Sequence, residues 1–298
     1  MAQPKTEPHV LAPVESLASI QPRRPMAVNS FGRTDRGKAR PTNEDHFAVV
    51  ELARHLHVHQ TSVPQAKAQY SSHRGHIFLV ADGMGGHQAG EVASALCVVT
   101  IDGFLLNTLN RFFNLKVPEE QNVMKEFQDA LRQADARIFE EAAEHPELIG
   151  MGTTLTMAFV VNWRLFVAHA GDSRCYLFSK GELHQLTQDH TVVAEMVRLG
   201  GMSLEEASRH PYRHLVTNAL GGDKPGIRVD MTKLDLEPQD VVLLCSDGLS
   251  QMVPDGRIAA ILHEEQEPVG ACERLVGEAN ERGGEDNITA IVAYFVET

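Results

Sequence analysis

The stretch that decides the fold reads Phe78-Leu79-Val80-Ala81-Asp82-Gly83-Met84-Gly85-Gly86-His87. Its apolar half suits a buried strand, and Asp82 stands where that run meets a glycine-rich turn. Two other stretches place an aspartate at the end of an apolar run in the same way: Val241–Cys245 leads into Ser246-Asp247-Gly248-Leu249, and Asp286-Asn287 opens the run Ile288–Val296. A charged side chain leaves a hydrophobic sheet only at its rim, so we expect the three aspartates to converge there.

A fourth acidic stretch, Arg40-x-x-Asn43-Glu44-Asp45, adds two carboxylates to this set. Converging carboxylates repel one another unless a cation neutralises them, so the pattern predicts a site for a hard divalent metal. Asp-Gly and Asp-Asn pairs also form turns, and one pair alone would leave the two interpretations evenly matched. Three such aspartates and the acidic pair favour the metal. Asp82 could then bridge two ions, while Gly83, without a Cβ, lets its carbonyl approach one.

The composition is that of an ordinary soluble domain: 298 residues, 43% hydrophobic and 22% charged. Residues 1–26 include five prolines and no periodicity, and are predicted to be a disordered tail, with one folded domain over residues 27–298. A net charge of −13 without a basic stripe argues against a nucleic-acid partner. We expect no membrane span, on the interpretation that no apolar stretch approaches the roughly 20 residues required.

The cysteines and the N-terminus bear on the compartment. Cys97, Cys175, Cys245 and Cys272 are far apart in apolar or helical contexts, which suits buried thiols in a reducing compartment. The N-terminus has no apolar signal core, so a cytoplasmic protein is expected.

A long helix that is apolar on most sides is predicted over about residues 90–109. Apolar periodicity predicts a second over about 119–143, and two more helices are predicted over 255–263 and about 267–281. Strands are predicted at 46–51, 76–81, 227–234 and 240–245. Four further runs, 153–161, 164–169, 174–179 and 183–186, are separated by turn formers and indicate an antiparallel meander. The order of elements favours an α+β class with antiparallel sheets and outer helices over an alternating parallel fold.

Several polar residues allow two interpretations. Arg40 could hold a phosphate with its guanidinium, or could be a surface arginine paired with Glu44, and spacing alone does not decide. Asp172 could be a metal ligand, but a hairpin turn with an Asp172–Arg174 ion pair is at least as well supported.

Histidines offer weaker candidates. His87 could act as an acid, although a histidine near a helix start is more often structural. His55, His57 and His59 alternate and could bind zinc from one face of a strand, but an exposed loop is the better interpretation.

Motifs for covalent catalysis are missing from the sequence. No cysteine is followed at the sixth position by arginine, there is no Gly-x-Ser-x-Gly elbow, and the single Gly37-Lys38 pair continues into Ala39 instead of a phosphate-loop Ser or Thr. Metal-activated water is the remaining nucleophile.

Taken in order, these stretches resemble the metal-dependent Ser/Thr protein phosphatases of the PP2C (PPM) family, bacterial type. The resemblance runs from about Phe31 to the C-terminus and includes further motifs: Gly90-Glu91-Val92-Ala93-Ser94, Gly152-Thr153-Thr154-Leu155, Gly171-Asp172-Ser173-Arg174, Leu186-Thr187-Gln188-Asp189-His190 and Thr217-Asn218-Ala219-Leu220-Gly221. It implies an αββα sandwich, two face-to-face antiparallel sheets with helices outside and a metal cleft at one rim.

Matching positions imply roles for individual residues. Asp82, Asp247 and Asp286 would hold a first Mn²⁺ or Mg²⁺, and Asp82 with the Gly83 carbonyl a second, while Glu44 and Asp45 act through water. Arg40 would bind the phosphate, Asp172 with Asp247 would form a weaker third metal site, and residues 190–222 would form a flap beside the cleft. Eukaryotic relatives carry a histidine acid where this chain, like bacterial members, has Met84, so the proton donor stays open.

The function expected from this resemblance is hydrolysis of phosphoserine and phosphothreonine on proteins by a water that bridges two ions. Phosphorylated proteins, with Hanks-type Ser/Thr kinases and their targets as candidates, are the expected partners of a monomeric enzyme. A phosphatase-like binding module would lack a ligand, and none is missing. A two-metal phosphodiesterase or nuclease would favour a basic groove, which the charge balance does not supply.

Overall fold

The computed structural model describes residues 25–53, 74–85, 88–112 and 120–298. Its strands are β1 (Met26–Asp35), β2 (Asp45–Ala53), β3 (Arg74–Met84), β4 (Gly152–Thr153), β5 (Leu155–Val161), β6 (Arg164–Ala170), β7 (Arg174–Ser179), β8 (Glu182–Gln185), β9 (Leu220–Gly221), β10 (Asp230–Asp235), β11 (Val241–Cys245) and β12 (Ile288–Glu297). The helices are α1 (Gln88–Phe112), α2 (Glu120–Glu144), α3 (Val192–Arg198), α4 (Leu204–Ser208), α5 (Asp247–Ser250), α6 (Asp255–Glu264) and α7 (Pro268–Glu281).

The strands form two antiparallel sheets. One has the order β1-β12-β11-β7-β8, and the other has the order β10-β6-β5-β3-β4-β9 with β2 on β3. Apolar side chains of β3, β5 and β6 meet those of β7, β11 and β12 in a core between the sheets. Helices α1 and α2 cover the outer face of the second sheet, and α5, α6 and α7 cover that of the first. This confirms the predicted αββα sandwich.

The predicted four-strand meander is wrong at its centre. Strands β5 and β6 pair in one sheet, while β7 and β8 pair in the other. The chain crosses between the sheets at residues 171–173, where Gly171 has a φ of +125° that only glycine adopts without strain. Alternating hydrophobicity shows which face of a strand is buried but not which sheet it joins, so the pattern could not distinguish a hairpin from a crossing.

Helix α1 contradicts the expectation that no apolar stretch is long enough to span a membrane. Residues Ala89–Asn107 meet the length and composition of a span, with a mean hydropathy of 1.7. In the structure the helix packs on β3 and α2, and Ala93, Cys97 and Ile101 are fully buried in the outer core. Its apolar composition therefore serves the packing of one layer of the sandwich.

Some predictions concern residues beyond the described ranges. Residues 1–24 of the predicted tail, together with His55, His57, His59 and His87, lie outside the described residues. The first described strand, β1, begins at Met26 and pairs with β12 along its length. All four cysteines are buried free thiols, as predicted from their apolar contexts.

Candidate active site

A cavity of about 580 Å³ opens at one rim of the sandwich. Most of the residues predicted to bind metal or phosphate line it: Arg40, Glu44, Asp82, Gly83, Asp172, Asp247 and Asp286. They come from remote parts of the sequence, yet the strand order brings them together because β3 and β11 end at the rim where β12 begins. The structure thus places the three aspartates of the apolar runs in one cavity.

Asp45 lies beneath this cavity instead of lining it. It is directly opposite Asp82 in the β2–β3 register and is only 4% exposed. Its Oδ2 accepts hydrogen bonds from Ser246 Oγ at 2.8 Å and from Thr289 Oγ1 at 2.7 Å. Its Oδ1 is buried with no hydrogen-bond partner within the described ranges. A buried carboxylate oxygen left in this way is costly unless a further donor or a cation satisfies it.

The electrostatics of the site are those of crowded acids. Burial, followed by the charges of Asp247 and Asp286, raises the pKa of Asp45 to about 7. Burial and the charge of Asp286 raise the pKa of Asp247 to about 6, and the Asp82 carboxyl lies within hydrogen-bonding reach of the Asp247 carboxyl. Burial and the neighbouring carboxylates also raise the pKa of Asp82 and Asp172. A positive charge placed among these groups would relieve their repulsion.

Protein donors bind two of the carboxylates. Arg40 Nη2 donates to Asp286 Oδ2 at 2.6 Å, and Gln251 Nε2 donates to Asp247 Oδ2 at 2.6 Å. With the side chains in these positions, no three His, Cys, Asp or Glu groups of the described chain surround one point closely enough to share an ion. A common metal would therefore require these side chains to move closer together around it.

The structure rules out the pairing of Arg40 with Glu44, whereas the phosphate-binding role of Arg40 stays a prediction. Arg40 lines the cavity, but its ion pair is with Asp286 and not with Glu44. The hydrogen bond to Asp286 raises the pKa of the guanidinium against the opposing effect of burial. The side chain is 54% exposed, so its free donors face the mouth of the cavity.

Asn287 shapes the loop that carries Arg40. Its Oδ1 accepts from the Glu44 backbone N–H at 2.8 Å, and its Nδ2 donates to the carbonyls of Arg36 and Thr42, also at 2.8 Å. One amide side chain thereby fixes both ends of the loop to the start of β12. This explains why Asn follows Asp286 in the sequence.

The structure rejects the hairpin interpretation of Asp172. Arg174 pairs with Asp189, at 2.7 Å between Nη2 and Oδ2, and not with Asp172. Asp172 is 6% exposed and sits in the crossing between the sheets, facing the cavity. It is a buried acid placed beside Asp247 and Asp82, which is the environment that a ligand would need.

Gly83 is required by close packing of the backbone. A Cβ at this position would lie 2.2 Å from the carbonyl oxygen of Gly90 and 2.7 Å from that of Glu44. The Gly83 N–H also donates to the Glu44 carbonyl at 3.2 Å. The glycine thus lets β3 pass between the Arg40 loop and the start of α1.

Gln251 and His214 are among the cavity residues that were not predicted from the sequence. Gln251 bonds Asp247, and its only sequence signal is its position four residues further on, where a helical turn brings it back. His214, with Val216, forms the wall contributed by residues 190–222, the segment predicted as a flap. His214 carries no local pattern that marks it, because its position depends on how this segment folds over the rim.

Comparisons with known proteins agree with this geometry. Residues 55–278 match the family described as protein phosphatase 2C. The serine/threonine phosphatase stp of Listeria welshimeri is 35% identical over 260 residues, which cover 87% of this chain and 93% of that protein. The crystal structure of the Mycobacterium tuberculosis serine/threonine phosphatase PstP/Ppp matches with a TM-score of 0.73 at 34% identity, covering 91% of this chain and 99% of that one.

A second PstP structure bears on the metals. It is the catalytic domain in complex with two manganese ions, and it matches with a TM-score of 0.71 at 32% identity over 91% of this chain and 100% of that one. The family match covers most of the chain, and the relatives are serine/threonine phosphatases that cover nearly its full length. The chain therefore belongs to the protein phosphatase 2C family, as a serine/threonine phosphatase.

Proposed function

We propose that this enzyme removes phosphate from phosphoserine and phosphothreonine of proteins with two divalent ions held by its rim carboxylates. Asp82, Asp247 and Asp286 would hold one ion, Asp82 and the Gly83 carbonyl a second, and Asp172 with Asp247 a weaker third. The observation that carries the proposal is the group of acids at one cavity, whose pKa values are raised by burial first and then by one another's charges. Its donors are all oxygen atoms, which suits Mn²⁺ and Mg²⁺.

The unsatisfied oxygen of Asp45 supports the same proposal. Oδ1 lies below the cavity with no donor among the described residues, while Oδ2 is held by Ser246 and Thr289. The fixed Oδ2 orients the carboxyl so that Oδ1 is available to accept from a water in the site. Glu44, on the cavity wall, would act in the same way.

Ions held by these carboxylates would lower the pKa of a bound water and offset the charge of the phosphoryl oxygens. The protein's own groups do the rest. Arg40, released from Asp286, turns its guanidinium toward the phosphate and orients it by paired N–H donors. Asp45 and Glu44 hold the attacking water in line with the leaving oxygen. No side chain is required to form a covalent intermediate.

The partners are proposed from the relatives, and the location is proposed from the state of the cysteines. Phosphoproteins, including Hanks-type kinases and their targets, are the proposed substrates because the relatives are serine/threonine phosphatases. A monomer in the cytoplasm is proposed, since four buried free thiols suit a reducing compartment.

The direct test is hydrolysis of a phosphothreonine peptide and of p-nitrophenyl phosphate after chelation and after addition of Mn²⁺. We expect no turnover with the chelator, recovery with Mn²⁺, and no hydrolysis of bis-p-nitrophenyl phosphate. Turnover that survives complete chelation would contradict the mechanism, and preference for the diester would indicate a phosphodiesterase.

A further inference from the structure

Cleavage of a phosphoserine or phosphothreonine releases an alkoxide-like oxygen, which is a poor leaving group unless it receives a proton. Met84, next to Gly83 on the cavity wall, has a thioether that carries no proton to give. Arg40 also lines the cavity, but a guanidinium does not release its proton in proteins. The rim aspartates are committed to the ions in the proposed function. The proton must come from another group.

His214 is the imidazole that lines this cavity in the described part of the chain. It lies on the wall formed by residues 190–222, is exposed to solvent, and makes no hydrogen bond or ion pair there. The charged groups that act on the pKa of His214 are Arg213, Asp286, Glu285 and Arg40. The ring is therefore free to contact a substrate at the mouth of the cavity.

The in-line geometry of phosphoryl transfer relates the position of His214 to that of the leaving oxygen. The attacking and leaving oxygens of a phosphoryl transfer lie roughly in line on opposite sides of phosphorus. The carboxylates that would hold the water form the floor, with Asp45 buried below them. The leaving oxygen therefore points away from the floor and toward the mouth, where His214 stands.

We propose that His214 is the catalytic acid that protonates the departing serine or threonine oxygen. This inference rests on the proposed phosphatase function. The bond between water oxygen and phosphorus forms as the bond from phosphorus to the seryl or threonyl oxygen breaks. The imidazolium gives its proton to that oxygen, the water's own proton passes to solvent, and the imidazole takes up a proton from solvent before the next turnover.

Charges around the ring set its proton affinity. Burial and then Arg213 lower the pKa of His214, while the carboxylates of Asp286 and Glu285 act in the opposite direction. A bound phosphate dianion adds negative charge beside the ring and favours the protonated form. The substrate itself would thus help to load the acid.

The test compares leaving groups of different quality. An alcohol leaving group needs a proton, whereas p-nitrophenolate is stable without one. Loss of a general acid typically costs 10²–10⁴-fold, so we expect His214→Gln to lower kcat for a phosphothreonine peptide by about 10²-fold and kcat for p-nitrophenyl phosphate by less than about threefold. His214→Asn is measured alongside, and melting temperatures report folding.

Val216→Ala is the matched control, because Val216 lines the same wall of the cavity, carries no ionisable group and leaves the imidazole in place. It is expected to change both substrates by the same factor. Equal losses on both substrates in His214→Gln, or no loss on the peptide, would overturn the role of His214. A wild-type enzyme that hydrolyses neither substrate with Mn²⁺ would instead overturn the proposed function.

Discussion

The carboxylates of the cavity show what burial does to single acidic residues. Asp247 has a pKa raised to about 6 and Asp45 one raised to about 7, with burial as the main cause and neighbouring carboxylates adding to it. When such groups are charged and no counter-ion is bound, they destabilise the fold. The arrangement is therefore costly to the free protein and favourable to cation binding.

Asp247→Asn should separate these two effects. Without metal, the variant should melt at the same or a higher temperature than the wild type, because the amide removes one charge from the repelling group. With Mn²⁺, kcat should fall roughly 10³-fold or more, since the neutral amide cannot replace a bridging anionic ligand. Thermal unfolding with a chelator and turnover with Mn²⁺ measure both.

Asp235→Asn provides the comparison, because Asp235 is an exposed acid paired with Arg164 away from the rim. Asp235→Asn should leave both the melting temperature with a chelator and the turnover with Mn²⁺ near wild type. A marked fall in the chelated melting temperature of Asp247→Asn, or near-normal turnover, would contradict the account.

His169 predicts a dependence of stability on pH. It is 1% exposed, contacts Thr156 Oγ1 at 2.9 Å and the Gln188 carbonyl at 3.1 Å, and its pKa is lowered to about 4, by burial first and then by His190. The unfolded chain binds this proton near pH 6.5 and the folded chain only near pH 4. The stability that the neutral His169 contributes to the fold is fully present above pH 6.5 and is lost as the pH falls toward 4.

Each unit of this shift corresponds to about 1.4 kcal/mol, so roughly 2 kcal/mol should be lost between about pH 7.5 and about pH 5. Denaturant unfolding at both pH values measures it in the wild type and in His169→Gln. The wild type should lose more stability than the variant by that amount. Parallel losses in the two proteins would show that His169 does not titrate in this way.

Some residues of the cavity could be predicted from the sequence, and others could not. Asp82, Asp247 and Asp286 were predictable because each borders an apolar run. The surroundings of Asp172 were not, because they depend on a crossing between sheets that no local pattern encodes. Gln251 and His214 reach the cavity through a helical turn and through the folding of residues 190–222, so only tertiary structure reveals them.

Among the secondary-structure elements, α2 is linked by a buried carboxylate to the backbone at and just beyond the end of residues 190–222. Asp135 is 5% exposed, and its two oxygens accept from the backbone N–H groups of Gly221 at 2.8 Å and Gly226 at 3.0 Å. Strand β9 in turn pairs with β4, and β4 pairs with the end of β3 at Gly83. A single side chain thus links an outer helix to the wall of the cavity.

Asp135→Ala should leave both N–H groups without an acceptor and lower the free energy of unfolding by about 2–4 kcal/mol, at roughly 1–2 kcal/mol for each lost hydrogen bond to a charged group. The amides of Gly221 and Gly226 should lose protection in hydrogen exchange. Asp129→Ala is the control on the same helix, because an exposed pair such as Asp129–Arg132 contributes about 0–1 kcal/mol. Equal destabilisation by the two variants would contradict the link.

The elements themselves were largely predictable. Helices α1 and α2 begin and end within a few residues of the predicted bounds. In α2 the apolar positions recur with helical spacing, whereas α1 is apolar on most of its sides. Strand β10 was predicted at 227–234 and is observed at Asp230–Asp235. The pairing of β7 with β11 was not predictable, because it joins segments that are distant in the sequence and depends on the packing of the sheets.

For the molecule as a whole, the sandwich explains why the acids meet. The sandwich has three apolar layers: one between the sheets, one under α1 and α2, and one under α5, α6 and α7. Charged side chains can therefore gather only at the rim. The net charge of −13 includes these acids, so bound cations would offset part of it. The fold supplies the frame, and the rim carboxylates supply the chemistry.

The central claim is that acids from distant parts of the chain jointly hold two ions. Isothermal titration calorimetry of the full chain, first stripped of metal by a chelator, measures this directly with Mn²⁺. We predict two tightly bound ions per chain in the wild type and loss of tight binding in Asp82→Asn, because Asp82 would contact both ions. A wild type that binds no Mn²⁺, or an Asp82→Asn variant that still binds two ions tightly, would contradict the account.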